Sequence, residues 1–229
     1  MNRNTTRVSN TTLLTRGLFL GLIALFWANS AAAIGLGGYF EYRRGWGEYD
    51  SLISCIGSSC FTLPVSGDWD RNTYGGGFLL DTNVAGNRVF NYRLSIGYVG
   101  TEETSRVTGL TTDLDGLLMR NTFGFGVLRT SKARLFLGPM ISLGFQLPDR
   151  TPLFDITGYD FVDLNLGAGA QIGLNFHISD SFSLSVAPAY EYMGLFRFAA
   201  NRDTTLVGGE HVVSINLGFM WRSPGDQFR

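Results

Sequence analysis

The 229-residue chain has a single lysine, Lys132, two cysteines, two histidines and no surplus of charge, with 18 basic residues against 19 acidic ones. That near balance removes the electrostatic case for a nucleic-acid partner. The cysteines make at most a metal half-site lacking its other ligands. Beyond Trp27 no apolar run approaches the roughly 20 residues that a membrane helix needs. If the chain resides in a membrane, it therefore does so as a closed barrel, because lipid offers no partner to unpaired backbone groups. Polar linkers, solenoid repeats and low-complexity tracts are also missing, which argues for one main domain. A hydrophobic content of 45% excludes a disordered chain.

Residues 1–33 read as an address. Arg3, Arg7 and Arg16 form a positive region, Gly17 to Trp27 is apolar, and Ala31-Ala32-Ala33 supplies small residues for cleavage before Ile34. The expectation is a signal peptide over 1–33, rather than a retained anchor, and a barrel domain over 34–229. No cysteine follows the cleavage site, so a lipoprotein anchor is not expected. In an exported protein, Cys55 and Cys60 are expected to form a disulfide pinning a loop, in preference to free thiols or a metal half-site.

What the sequence does contain is strict alternation. From Val162 to His177 the even positions are Val162, Leu164, Leu166, Ala168, Ala170, Ile172, Leu174 and Phe176. The odd positions are small or polar throughout: Asp163, Asn165, Gly167, Gly169, Gln171, Gly173, Asn175 and His177. A period of two belongs to a strand with two different faces. Soluble strands cluster near 5–6 residues and tilted spanning strands need roughly 9–11. Eight runs of that longer kind are expected, at 36–48, 72–82, 88–100, 116–128, 134–147, 162–176, 182–198 and 211–221. The links NVAGN, RTSK and HISDS are short and the others longer, the asymmetry of an outer-membrane barrel. Aromatics on the face assigned to lipid, among them Phe40, Trp46, Tyr74, Tyr98, Tyr192 and Trp221, gather toward strand ends, as interfacial girdles do. The expected fold class is all-β, an eight-stranded antiparallel up-and-down transmembrane β-barrel.

The opposite parity fills the lumen, which in an eight-stranded barrel is only wide enough for side chains. It carries Glu41, Arg43, Asp81, Asn91, Arg93, Arg120, Ser142, Gln146, Asn165, Gln171, Glu191, Arg197 and Asn216, with glycines between them. Counting from the strand ends sets Glu41, Arg93, Arg120 and Glu191 at similar middle depth. A lumenal ion-pair network of Glu41, Arg43, Asp81, Arg93, Arg120, Glu191 and Arg197 is expected, because buried charges must be paired. It serves packing in preference to a gate or solute path.

Other signals weigh less. The string Gly167 to Gly173 misses the dinucleotide spacing and opens no helix, so no cofactor is expected. Asp68 with Asp70, and Asp113 with Asp115, fall in expected exterior loops without the ligand set of a calcium site, so no metal is expected.

His177, Ser179 and Glu191 resemble in type and spacing the catalytic trio of the outer-membrane lipid A 3-O-deacylases, which implies an activated serine attacking an ester. Hairpin geometry opposes it. If Asp180 centres the turn, His177 faces about Ser183 and Glu191 faces about Gly169, eight residues up the hairpin, which at roughly 3.3 Å per residue separates Glu191 from His177 by over ~20 Å. Asp180 also stands where that family has Asn after its serine.

The whole mature chain resembles the OmpA/OmpX-like β-barrel superfamily. The resemblance rests on Asn91 to Gly100 (NYRLSIGYVG), on Asp163 to Tyr192 and on the closing run His211 to Trp221 (HVVSINLGFMW). Val213, Ile215, Leu217, Phe219 and Trp221 look like its C-terminal assembly signal, although SPGDQFR follows. The resemblance implies an outer-membrane location in a Gram-negative bacterium, with lipid, lipopolysaccharide and the barrel-assembly machinery as partners. The expected role is non-enzymatic, with a filled polar lumen and surface-exposed loops in structural or interaction roles. The alternatives are a narrow porin or small-solute transporter, and a lipid A-modifying enzyme.

Overall fold

The computed structural model describes residues 34–56, 59–84, 89–148, 161–199 and 204–222. The expected signal peptide over 1–33 lies outside them. Eight strands follow in chain order: β1 (Gly35–Ile56), β2 (Ser59–Asp81), β3 (Phe90–Ser105), β4 (Thr111–Arg129), β5 (Ala133–Pro148), β6 (Phe161–His177), β7 (Phe182–Ala199) and β8 (Thr204–Arg222). Each pairs antiparallel with the next, and β1 pairs with β8 to close an up-and-down barrel. This is the fold class expected from the alternation.

Closure follows from the chemistry of the strands. Each carries one apolar face and one small or polar face, and only a closed sheet gives every residue of a spanning segment a backbone partner. The faces point in the order that suits hydrocarbon. Phe40, Tyr98 and Leu117 are 68%, 56% and 58% exposed, whereas Arg120 is 1% exposed and Asp81 and Asp163 are fully buried. A water-soluble barrel would reverse that distribution; burying charges and exposing a belt of aromatic and aliphatic side chains is stable only against lipid.

At one end, here called the turn end, the connections are short. Thr130–Lys132 joins β4 to β5, and residues 178–181 join β6 to β7. Tyr39, Leu79, Val84 and Met220 form an apolar plug inside the barrel at this end.

The opposite, far end corrects the sequence reading. The expected limits of β1, β2, β3, β4 and β8 stop short of the observed ones, by up to 13 residues in β2 (Asn72 expected, Ser59 observed). The links after β1 and β3 are therefore brief, not long: β3 and β4 are joined by residues 106–110 alone. Asp68, Asp70, Asp113 and Asp115, expected in loops, lie on β2 and β4. The reason is that above the lipid the outward face turns polar as well, so the apolar alternation that marks a spanning strand fades while the backbone ladder and the inward parity continue. The Cys55–Cys60 disulfide forms between directly paired residues of β1 and β2 at the hairpin tip, so it ties two strands and not an open loop.

Candidate functional site

The barrel interior is the most chemically loaded region among the described residues, and its charges stack in three layers. Nearest the turn end, β2 ends on Asp81, which accepts from Arg93 Nε at 3.2 Å. Arg93 also donates to Asn175 Oδ1 at 2.8 Å and Ser185 Oγ at 2.7 Å, and its guanidinium lies 4.8 Å from the Phe136 ring centroid. Arg134 donates to the Asn83 carbonyl, closing the layer toward the turn.

The middle layer is a four-membered ion network. Arg120 donates to both Glu41 oxygens at 2.9 and 2.7 Å and approaches Glu191 at 3.4 Å. Arg43 donates to Glu191 Oε1 at 2.6 Å and stands 3.3 Å from Glu41. Ser142 donates to the other Glu191 oxygen at 2.5 Å. The planar fork of arginine suits this arrangement, since one guanidinium reaches two carboxylates on different strands. Glycine provides the room: a Cβ at Gly167 would lie 2.2 Å from Ser142 Oγ and 2.9 Å from Glu191 Oε2.

The outer layer sets two arginines against three carboxylates. Arg71 donates to Glu103 Oε2 from Nε and Nη2 at 2.8 and 2.5 Å, to Asp163 at 3.1 Å and to Glu210 at 3.5 Å. Arg197 donates to Asp163 at 2.7 and 2.8 Å and to Glu103 at 3.0 and 2.9 Å. Phe161 and Tyr49 cover Arg197, at 4.0 and 5.5 Å from guanidinium to ring centroid. Between the middle and outer layers a cavity of about 20 Å³ remains, lined in part by Arg43, Arg71, Gln146 and Asn165. That is room for one or two waters.

The seven expected network residues all point inward, but they do not form one cluster. Glu41, Arg43, Arg120 and Glu191 meet in the middle layer. Asp81 and Arg93 belong to the turn-end layer and Arg197 to the outer one, so the equal depth expected for Arg93 is corrected. Arg120 pairs across the sheet with Ser95, two residues beyond Arg93, which instead faces Thr122. Counting from strand ends ignores the stagger of tilted strands around a barrel.

Sequence reasoning left Arg71, Glu103, Asp163, Glu210 and Arg134 out of the network. Arg71, Glu103 and Glu210 fall just outside the expected strand limits, yet each continues the inward parity of its strand: 71 with Thr73, 103 with Thr101, 210 with Val212. That parity was the available signal.

The hairpin register separates the residues of the deacylase-like trio. His177 pairs with Ser183 and Glu191 with Gly169. His177 Nδ1 lies 3.0 Å from Ser183 Oγ, while the Glu191 carboxylate is taken by Arg43, Arg120 and Ser142.

No protein-family model matches the chain, and no curated protein matches it. Among solved structures, the outer membrane protein OprG from Pseudomonas aeruginosa is similar with a TM-score of 0.50 at 10% identity, covering 82% of this chain and 96% of OprG. Neisserial surface protein A matches at 15% identity over 80% of this chain and 98% of its own, with a TM-score of 0.35. Ail of Yersinia pestis, solved with the heparin analogue sucrose octasulfate, matches at 16% identity over 82% and 99%, with a TM-score of 0.34. At such identities the likeness to OprG is one of architecture: the chain has the fold of the small eight-stranded outer-membrane β-barrels.

Proposed function

We propose that this chain is a Gram-negative outer-membrane barrel that catalyses no reaction, keeps its lumen sealed, and presents the far-end hairpins as its contact surface. The turn end faces the periplasm and the disulfide-tied hairpin faces outward. Lipid and lipopolysaccharide surround the apolar belt, and the alternating residues of β8 engage the barrel-assembly machinery. The observation that carries this reading is the lumen itself. Three charge layers and an apolar plug cross it, and the cavity between the middle and outer layers measures about 20 Å³.

A solute path needs mobile, hydrated side chains, and here the arginines are immobilised by two or more partners each in the middle and outer layers. Planar-bilayer recording of the purified protein is expected to show no steady conductance; a large, steady one would overturn the sealed lumen. Incubation with lipopolysaccharide is expected to leave its mass unchanged, and a lost acyl chain would restore the enzyme reading. Recovery of the folded mature chain from the soluble periplasm without detergent would remove the membrane assignment.

A further inference from the structure

On the outside of the barrel, above the apolar belt, a cleft of about 310 Å³ opens across β1, β2, β7 and β8. Its floor is aromatic. Trp46, His211 and Tyr192 are direct cross-strand partners in one row. The Trp46 and His211 rings stack at 6.0 Å and 24°, and Tyr192 meets His211 edge-on at 5.1 Å. Tyr190, also on β7, stacks near the His211 ring at 6.1 Å and 23°, and its hydroxyl lies 2.7 Å from Nδ1. Gly209 makes room for the floor, since a Cβ there would lie 2.0 Å from the Tyr192 hydroxyl oxygen.

The walls are acidic. Glu48 and Asp68 lie directly opposite each other on β1 and β2, both on the exposed face, and Asp50 stands beside them. Like charges in that position destabilise a sheet. None of the three side chains has an ion-pair or hydrogen-bond partner among the described residues. The cation that lines the cleft, Arg106, is held bidentately by Asp70 at 2.8 and 2.6 Å; its backbone N–H also donates to the Asp68 carbonyl at 2.8 Å, so its charge offsets Asp68 in part and leaves Glu48 and Asp50 uncompensated by it.

We infer that the cleft formed by Trp46, Tyr192, His211, Glu48, Asp50 and Asp68 binds an alkylammonium group. The Trp46 and Tyr192 rings, with His211 packed between them, and the carboxylates all favour a cation, and aromatic rings beside carboxylates are the chemistry that recognises quaternary and primary ammonium ligands. A phosphate or sulfate would meet three carboxylates and no free donor cation. The ammonium can come from a soluble amine or from a lipid headgroup lying at the level of the aromatic belt. The cleft lies on the exterior of the barrel, so its occupancy does not depend on whether the lumen conducts.

The test uses the full mature barrel, isotope-labelled, in a non-ionic maltoside detergent, with the Trp46 indole N–H and Gly209 amide signals followed by NMR. Choline is expected to shift both saturably, and 3,3-dimethylbutan-1-ol, its uncharged isostere, is expected not to. The double variant Glu48→Gln/Asp68→Asn is expected to weaken choline binding by about fivefold or more, as befits a site built on charge and ring faces.

Discs of phosphatidylethanolamine and of phosphatidylglycerol then separate the sources. Weaker choline binding in the former identifies a lipid headgroup, and equal binding in both identifies a soluble amine. No saturable shift, or an equal shift from the uncharged isostere, overturns the inference. The isostere comparison is made on the unaltered protein, so it decides the matter even if the double variant fails to assemble.

Discussion

The middle charge layer makes a quantitative demand on the protein. Arg120→Met keeps an unbranched, flexible side chain in a 1%-exposed position and deletes the guanidinium and its charge. Glu41 then loses hydrogen bonds of 2.9 and 2.7 Å and retains only Arg43, at 3.3 Å, whereas Glu191 retains Arg43 at 2.6 Å and Ser142 at 2.5 Å. The damage therefore concentrates on one carboxylate, buried and nearly unpaired. Hydrogen bonds to charged groups contribute about 1.5–3 kcal/mol each, and breaking one side of a buried pair costs about 3–5 kcal/mol. We expect Arg120→Met to destabilise by about 4 kcal/mol on that basis.

Glu41→Gln in the same chain removes the stranded charge, so the double variant is expected to be more stable than the sum of the single effects implies, with a coupling of about 2 kcal/mol. The assay is equilibrium urea unfolding in lipid vesicles, read by tryptophan fluorescence and by heat-modifiable migration. A cost below about 1 kcal/mol for Arg120→Met, or strict additivity across the cycle, would mean that water already reaches these charges and that the lumen is not sealed.

Gly167→Val places a side chain where Ser142 and Glu191 meet; it is expected to cost about 1–3 kcal/mol or to block assembly, measured by the same unfolding and migration assays. Ile215→Arg puts a charge on the lipid face, on the β8 row that pairs with Tyr42 and Pro188, and is expected to cost about 2–4 kcal/mol in vesicles, with a smaller penalty expected for a substitution at a strand end. Outside the membrane, the Arg106 guanidinium holds the Asp70 carboxyl below the usual aspartate range. Because the folded value is the lower one, the pair is intact above the unfolded value of about 3.9 and is lost as pH falls through the depressed value. An NMR titration of Asp70 should therefore show its midpoint moving up toward the ordinary value in Arg106→Gln.

The alternation written into single strands determined the fold class. In β6 the even residues are apolar without exception and the odd ones small or polar, which fixes a two-faced strand. Eight such strands, too long for a soluble sheet, leave a closed spanning barrel as the structure that satisfies their backbone groups. Parity also assigned Glu41, Arg43, Arg120 and Glu191 to the interior, and the turn at Asp180 gave the register that separates His177 from Glu191.

What parity could not supply is height. Which inward charge meets which depends on tilt, on stagger and on irregularities such as the register shifts at Tyr49/Ser51 and Gly126/Leu128, all of which are properties of the closed sheet. For that reason only the tertiary structure separated Arg93 from Arg120 and brought Arg71, Glu103, Asp163, Arg197 and Glu210 together from five strands. The strand ends beyond the lipid were less legible, because there the outward face is polar as well and apolar residues no longer alternate with polar ones. The row Trp46, His211 and Tyr192 shares a cleft with Glu48 and Asp68 only because β1 closes on β8, joining the first strand of the chain to the last.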